Sequence, residues 1–412
     1  MICADRTSGE ISRAGPRPHV ESHPGPELTA QPTAQSAKRI LMSVGAIGGM
    51  WTYAMELTRA LAEYGVNISL ATMGAPLSQA QRAEAAAIAN LEVFESDYKL
   101  EWAEDSWRDV RKAGEWLRLL EERIRPDVVH LNGYAHGALD WRAPVLVAGH
   151  SCILSRWRAS LGYPAPAQWN QYRAEAARGL SAANVVVAPT RAMLVALERH
   201  YGPLRDGRVV YHGRDASLFE AGVKDEFVMV TGRLCDEAKN IGALGRAASQ
   251  IVWPVLVAGA QRRLAGDAAS INNIHLLGEL SRQRMAEWLA RAAIYALPAR
   301  YEPFGLSALE AGLAGCALVL GDIHSLREVW GDAAIFVPPD DVEALRDAIE
   351  GLIEDAELRA EYGERARRRA MEFTPRRMAA GYLAVYADLM AGRKAARPRE
   401  RVATVRGRSA CA

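Results

Sequence analysis

Tyr301-Glu-Pro-Phe-Gly-Leu-Ser-Ala-Leu-Glu310 sets two carboxylates, Glu302 and Glu310, eight positions apart around a Phe-Gly turn. An apolar run with β character, Ile294 to Leu297, precedes it, and an Ala-rich apolar run, Leu309 to Leu313, follows. The stretch reads as strand, loop and helix, with Glu302 in the loop and Glu310 in the first helical turns. A helix start offers unpaired N–H groups and a partial positive charge, both suited to phosphate. Flanked by two carboxylates, it can hold phosphate with N–H groups and sugar hydroxyls with carboxylates, a combination that suits a nucleotide sugar. A plainer reading fits the same spacing. Ser307 and Glu310 match the capping box S-x-x-E, in which Glu310 only closes a helix end and Glu302 is a solvated loop residue.

Upstream, the alternation of apolar runs and helical spacing covers the second half of the chain. Phe227 to Thr231, Val255 to Gly259 and Ile274 to Gly278 read as strands, and Ile241 to Gln250 and Ser281 to Arg291 as helices. Downstream come a strand at Ala317 to Leu320, a short helix at Ser325 to Trp330 and a strand at Ala334 to Val337. Three helices follow, ending with Arg376 to Met390. The first half repeats the scheme. Arg39 to Val44 is a strand, Gly45-Ala-Ile-Gly48-Gly49 a turn, and Met50 to Tyr64 a helix, the opening of a doubly wound unit. Strands follow at Asn67 to Thr72, Leu91 to Phe94, Val128 to Leu131, Val145 to Ala148 and Val185 to Ala188, with helices at Ser78 to Ala89 and Glu104 to Ile124. Ser155 to Tyr172 reads as irregular and aromatic, with Trp157, Tyr163 and Trp169 beside Arg156 and Arg158. Flat aromatic faces that can stack on sugars, beside two cations, make that stretch a candidate binding site, although each of its Trp residues has packing as the simpler role. The whole is α/β with parallel sheets.

The opening stretch resembles the signature of the family 4 retaining glycosyltransferases of the GT-B fold: a Glu, a Phe-Gly-Leu-like turn and a second Glu eight residues on. The resemblance extends to Ala311-Gly-Leu-Ala-Gly315, to Ser325-Leu-Arg-Glu-Val329 and to Gly232-Arg233-Leu…Lys239-Asn240. It covers about residues 39–390 and is more specific in the C-terminal half. It implies two Rossmann-like domains facing each other across a cleft. Their bounds are 38–215 for the acceptor domain, 216–226 for a linker, 227–375 for the nucleotide-sugar domain and 376–392 for a helix crossing back.

The resemblance also implies roles. Arg233 and Lys239, each a surface cation when taken alone, form a diphosphate clamp together. Glu302 holds a donor-sugar hydroxyl, Glu310 takes the ribose hydroxyls, and amides around Phe304, Gly305, Leu306 and Ser307 take the phosphates. Leu280 lies against the base, Gly48 and Gly49 face the donor sugar, and the strand-end His150 stands near its hydroxyls. Two departures from the family pattern occur: Ser151 follows His150 where Asp is common, and His212 stands where Asn is usual. The physics of the clamp is direct. Negative charge grows on the departing diphosphate, and fixed cations aimed there stabilise the transition state more than the ground state. No Asp-x-Asp occurs in the chain, so no metal and no cofactor is expected. The expected substrates are a nucleotide-diphosphate sugar and a sugar or lipid-linked saccharide acceptor. A GT-B nucleotide-sugar epimerase and a non-catalytic sugar-nucleotide-binding protein are the alternatives.

Composition agrees with a soluble, two-domain protein. The chain has 412 residues, 50% hydrophobic and 24% charged, with a formal net charge of +1. That length exceeds one ordinary core, and the charge gives no general reason to bind nucleic acid. Five scattered cysteines without a C-x-x-C pair suit reduced thiols in the cytoplasm. No run approaches a membrane span and no secretory signal opens the chain. Residues 1–37 read as a disordered lead-in and 393–412 as a basic flexible tail, solvated or, in the alternative, touching anionic lipid at the inner face of the membrane.

Overall fold

Runs such as Val145–Ala148, Val185–Ala188 and Val255–Ala258 are apolar at every position, and all are buried. Strands of that kind need cover on both faces, which crossover helices of a parallel sheet provide. The computed structural model describes residues 37–232, 236–259 and 273–396, and the pattern occurs twice.

The first unit runs β1 (Arg39–Gly45), α1 (Gly49–Ala62), β2 (Asn67–Met73), α2 (Gln79–Ala86), β3 (Leu91–Glu95), α3 (Trp107–Ile124) and β4 (Val128–Leu131). It continues with β5 (Val145–Ala148), α4 (Ile153–Leu161), α5 (Asn170–Ala182), β6 (Val185–Ala188), α6 (Arg191–Tyr201) and β7 (Gly207–Val209). All pairings are parallel, in the order β3-β2-β1-β4-β5-β6-β7. Side chains alternate across the sheet with period two. Ile40, Met42 and Val44 enter the core on one face, and Leu41 the core on the other.

The second unit runs β8 (Asp225–Thr231), α7 (Ile241–Ala248), β9 (Val255–Ala258), β10 (Ile274–Gly278), α8 (Arg282–Arg291), β11 (Ala292–Leu297) and α9 (Leu306–Leu313). Next come β12 (Ala317–Gly321), α10 (His324–Trp330), β13 (Ile335–Val337), α11 (Val342–Glu354), α12 (Ala356–Ala370) and α13 (Pro375–Ala396). Its parallel sheet has the order β10-β9-β8-β11-β12-β13. In each sheet the order reverses beside the first strand, between β1 and β4 and between β8 and β11. Open parallel sheets bind ligands beyond the carboxyl ends of strands at such a point.

The chain passes between the domains twice. Helix α13 returns to the first domain, where Met378, Tyr382, Val385 and Tyr386 join Ile40, Met42, Tyr53 and Leu57 in one core. The two passages touch: Arg214 N–H donates to the Phe373 carbonyl at 3.0 Å. A Cβ on Gly213 would lie 2.3 Å from the Thr374 carbonyl oxygen, so this crossing admits only glycine.

Several expectations need correction. Residues 155–172 are not irregular: α4 and α5 occupy most of the stretch. Helix α4 is started by an unusual cap, Cys152 Sγ accepting from Ser155 N–H at 3.4 Å, and stopped by Gly162 at φ 79°. Strand β8 starts at Asp225, inside the expected linker, because Asp225 pairs with Ala292 of β11. Ala37, the last residue of the expected lead-in, is fully buried, and α13 runs past 392 to Ala396. The rest of the lead-in and the far part of the basic tail, from 397, lie outside the described residues. Among the described residues no helix is long and apolar enough to cross a membrane.

Candidate active site

At the switch point of the second sheet, the loop after β8 is stapled to the loop after β11. Arg300 and Tyr301 N–H both donate to the Ala238 carbonyl, at 2.9 and 3.1 Å. Asn240, buried and at φ 55°, donates its amide to the carbonyls of Pro298 at 3.0 Å and Pro339 at 2.5 Å. This fastening brings Lys239 against Glu302, with Nζ paired to Oε2. Burial works against the ammonium, but Glu302 outweighs it, and Lys239 is held above its usual pKa. The site cation is therefore fully charged at neutral pH.

Glu302 also shapes the helix that follows. Its Oε1 accepts from Gly305 N–H at 3.0 Å, and Gly305, at φ 92°, is the N-cap of α9, with no side-chain cap. The Ser307–Glu310 capping box, the plainer alternative, is therefore not formed. The helix opens at Leu306, earlier than the spacing suggested, and the carboxylate bound near its start is Glu302. Phosphate suits the uncapped amides here. Glu310 pairs instead with Arg214 Nη2 at 2.7 Å, and Arg214 Nη1 pairs with Glu56 of α1.

The first domain brings its own switch point to the same place. Gly48, at φ 60°, caps α1, and a Cβ there would meet no atom within 4 Å. A Cβ on Gly49 would lie 3.4 Å from Leu306 Cδ1, so the glycine turn faces the start of α9. Beyond β4, Asn132 donates its amide to the Ser43 carbonyl at 2.7 Å. This turns Oδ1 toward His150, whose Nε2–H donates to it at 2.7 Å. His150 Nδ1 is then an acceptor, and among the described residues it is buried without a partner. Burial pushes the His150 pKa down to about 4. His212 stacks on it at 5.3 Å between ring centroids, its pKa likewise well below the usual value through burial first and His150 second. Tyr53 packs on both rings, at 4.4 and 4.9 Å.

The domains meet across the cleft through polar contacts as well. Tyr301 Oη accepts from Cys152 N–H at 2.6 Å. Arg156 pairs with Asp236 at 2.8 Å, and Arg282 of α8 with Glu84 of α2 at 2.7 Å. Glu328 accepts from the Arg191 and Ala192 N–H groups at the start of α6, at 2.7 and 2.9 Å. Thr190 Oγ1 caps that helix and donates to the Pro303 carbonyl at 2.9 Å.

The structure thus gathers Gly49, Lys239, Glu302, Gly305, Leu306 and Glu310 around the first turns of α9, with His150 packed on Tyr53 of α1. Phe304 serves packing: it is 2% exposed and stands edge-on to His212 at 5.0 Å and to Phe373 at 5.6 Å. Leu280 packs partly on the second core. Arg233 lies outside the described residues. Sequence reasoning missed Asn132, Glu56 and Arg214, whose only signal was a polar residue just after a strand, inside a helix with apolar neighbours, and in a loop, respectively.

Two family models match, together reaching from residue 47 to residue 369. One, described as Glycosyltransferase Family 4, matches residues 47–218, and the other, glycosyl transferases group 1, matches residues 217–369. A phosphatidyl-myo-inositol mannosyltransferase of Mycolicibacterium smegmatis is 31% identical over 186 residues, 42% of this chain and 48% of that protein. A lipopolysaccharide core biosynthesis mannosyltransferase of Rhizobium leguminosarum bv. viciae is 35% identical over 122 residues, 29% of this chain and 34% of that protein. The chain thus matches about half or less of the length of these curated relatives. Among solved structures, a sucrose-phosphate synthase from Thermosynechococcus elongatus superposes with a TM-score of 0.73 at 19% identity, covering 86% of this chain and all (100%) of that one. Anabaena HepE, solved in complex with UDP and glucose, gives 0.63 at 16% identity, covering 87% of this chain and 99% of that one. The chain belongs to the family 4 glycosyltransferases of group 1, and its two parallel-sheet domains have the GT-B fold.

Proposed function

We propose that the protein transfers a sugar from a nucleotide-diphosphate donor to a sugar or lipid-linked saccharide acceptor, with retention at the anomeric carbon and without a metal. Envelope or exopolysaccharide synthesis is the setting that the names of the relatives favour. One observation carries the reading: Lys239, Glu302, the uncapped start of α9 and Glu310 converge at the switch point of the second sheet.

On this reading the diphosphate lies at the α9 amides. Lys239 turns from Glu302 toward it, and the freed Glu302 carboxylate accepts a hydroxyl of the donor sugar. Lys239 then stabilises the charge that grows on the leaving diphosphate, the part that a metal plays elsewhere. Glu310 accepts from the ribose hydroxyls. The departing phosphate then takes the acceptor's proton on the same face, so that no protein nucleophile is needed. Neutral His150 presents Nδ1 to a sugar hydroxyl.

The test is thermal stabilisation of the chain by UDP, GDP, ADP and their sugars, with and without EDTA, beside Glu310→Ala. A ligand at a hundred times its Kd adds about 2.7 kcal/mol. One nucleotide that stabilises only the wild type, regardless of EDTA, names the donor class and supports the metal-free site. No shift with any nucleotide refutes the reading.

A further inference from the structure

Arg214 links this site to the rest of the molecule. Its side chain is 2% exposed and lies between two acids from different domains, Glu56 of α1 and Glu310 of α9. Its guanidinium carbon sits 5.1 Å over the Phe219 ring, and its N–H holds the Phe373 carbonyl. Two negative charges and one positive charge are thus drawn out of water at the point where both passages between the domains meet. Burying such a cluster is costly, and an apolar trio would fill the space as well. A guanidinium placed between two carboxylates has one property that an apolar filling lacks: it draws each carboxylate to a set place. Glu310 left alone has three rotatable bonds. Held at Oε1, it keeps Oε2 as its accepting oxygen, and its side chain is still 16% exposed.

We propose that Arg214 is a positioning residue for nucleotide binding. It holds Glu310 by one oxygen so that the other meets the ribose hydroxyls of a nucleoside diphosphate. The inference rests on the reading of Glu310 as the ribose ligand.

The experiment is calorimetric titration of the full chain with UDP, GDP and ADP. It compares wild type, Glu310→Gln, Arg214→Gln, the Glu310→Gln/Arg214→Gln double variant and Glu56→Gln. Arg214→Gln is expected to bind the preferred nucleotide about tenfold more weakly, the loss of one charge-assisted contact. The double variant should bind no more weakly than Glu310→Gln, because Arg214 acts through Glu310, and a merely structural role would not give that non-additivity. Glu56→Gln, which leaves the Arg214–Glu310 contact, should stay within about twofold of wild type. Wild-type affinity in Arg214→Gln while Glu310→Gln loses affinity overturns this inference and leaves the reading of Glu310 standing. So does a further loss in the double variant, or a tenfold loss in Glu56→Gln. Wild-type affinity in Glu310→Gln, or a wild type that binds none of the three nucleotides, overturns the reading of Glu310 itself. If Arg214→Gln fails to fold, Glu56→Gln/Arg214→Gln, which buries two neutral amides in place of an unpaired acid, carries the same expectation.

Discussion

Replacing His130 by Phe should flatten the acid limb of the protein's stability. His130 lies on β4 with no exposure. Its Nδ1 is 2.7 Å from Tyr386 Oη and its Nε2 3.3 Å from Tyr53 Oη, and its ring stacks on Tyr382 at 5.1 Å. Two effects compete on protonation. Asn132 and both tyrosine hydroxyls can accept from an imidazolium, which favours the charge. Complete burial disfavours it, and the neighbouring His150 adds to that. Burial wins, and the pKa falls from 6.5 to about 3. The unfolded chain therefore binds the proton first. Stability is unaffected above pH 6.5, falls as pH drops below it, and levels off only below about 3. At roughly 1.36 kcal/mol per unit, the penalty at pH 5 is about 2 kcal/mol. His150, at about 4, adds a similar amount. Urea titrations of wild type at pH 8 and pH 5, read by tryptophan fluorescence, should differ by about 4 kcal/mol from these two groups alone. His130→Phe keeps the stack on Tyr382 and loses two hydrogen bonds, so it is less stable throughout, yet its loss between the two pH values should shrink by about 2 kcal/mol. An unchanged difference would refute the reasoning, since it would mean that the imidazolium forms in place with both tyrosines as acceptors.

Lys239→Ala should lower kcat by about 10²–10³-fold with little change in KM, the signature of a contact that matters in the transition state; steady-state kinetics with the preferred donor checks it. Glu310→Ala should instead raise the donor KM, by about tenfold or more, with a smaller effect on kcat. Gly213→Ala forces a methyl against the Thr374 carbonyl and should cost roughly 1–3 kcal/mol in a denaturation curve. Asn132→Leu removes the acceptor of His150 Nε2–H, and the ring nitrogen shifts in ¹⁵N NMR should move away from a pure Nε2–H tautomer.

The strands were legible because buried parallel strands are written as short, wholly apolar runs, and Val145–Ala148 or Ala317–Leu320 needs no context to be read. The doubly wound order followed from their alternation with helices. Glu302 was legible because the Phe-Gly turn after it forces a loop there. The capping reading of Ser307 and Glu310 failed for a reason that lies outside local spacing. Gly305 takes a left-handed conformation and starts the helix early, and Glu302 binds its amide. The helices within 155–172 were hidden because a sulfur caps the first and because aromatics and two prolines made the composition look irregular. Arg214 could not be assigned from the sequence at all: its two partners stand on helices far from it in the chain, and only the crossing of the two passages brings them together.

The return of α13 has a consequence for how the protein is made. The first domain is not a continuous piece of chain. Its core, with Tyr53 and His130, is closed by Tyr382 and Tyr386, which leave the ribosome only after the second domain has been made. The second core, by contrast, draws on a nearly continuous run from Phe219 to Phe373. During synthesis the domain translated second can therefore close first, while the one translated first waits, its apolar face uncovered, for α13. A chain truncated before residue 375 would lack the part that finishes its beginning.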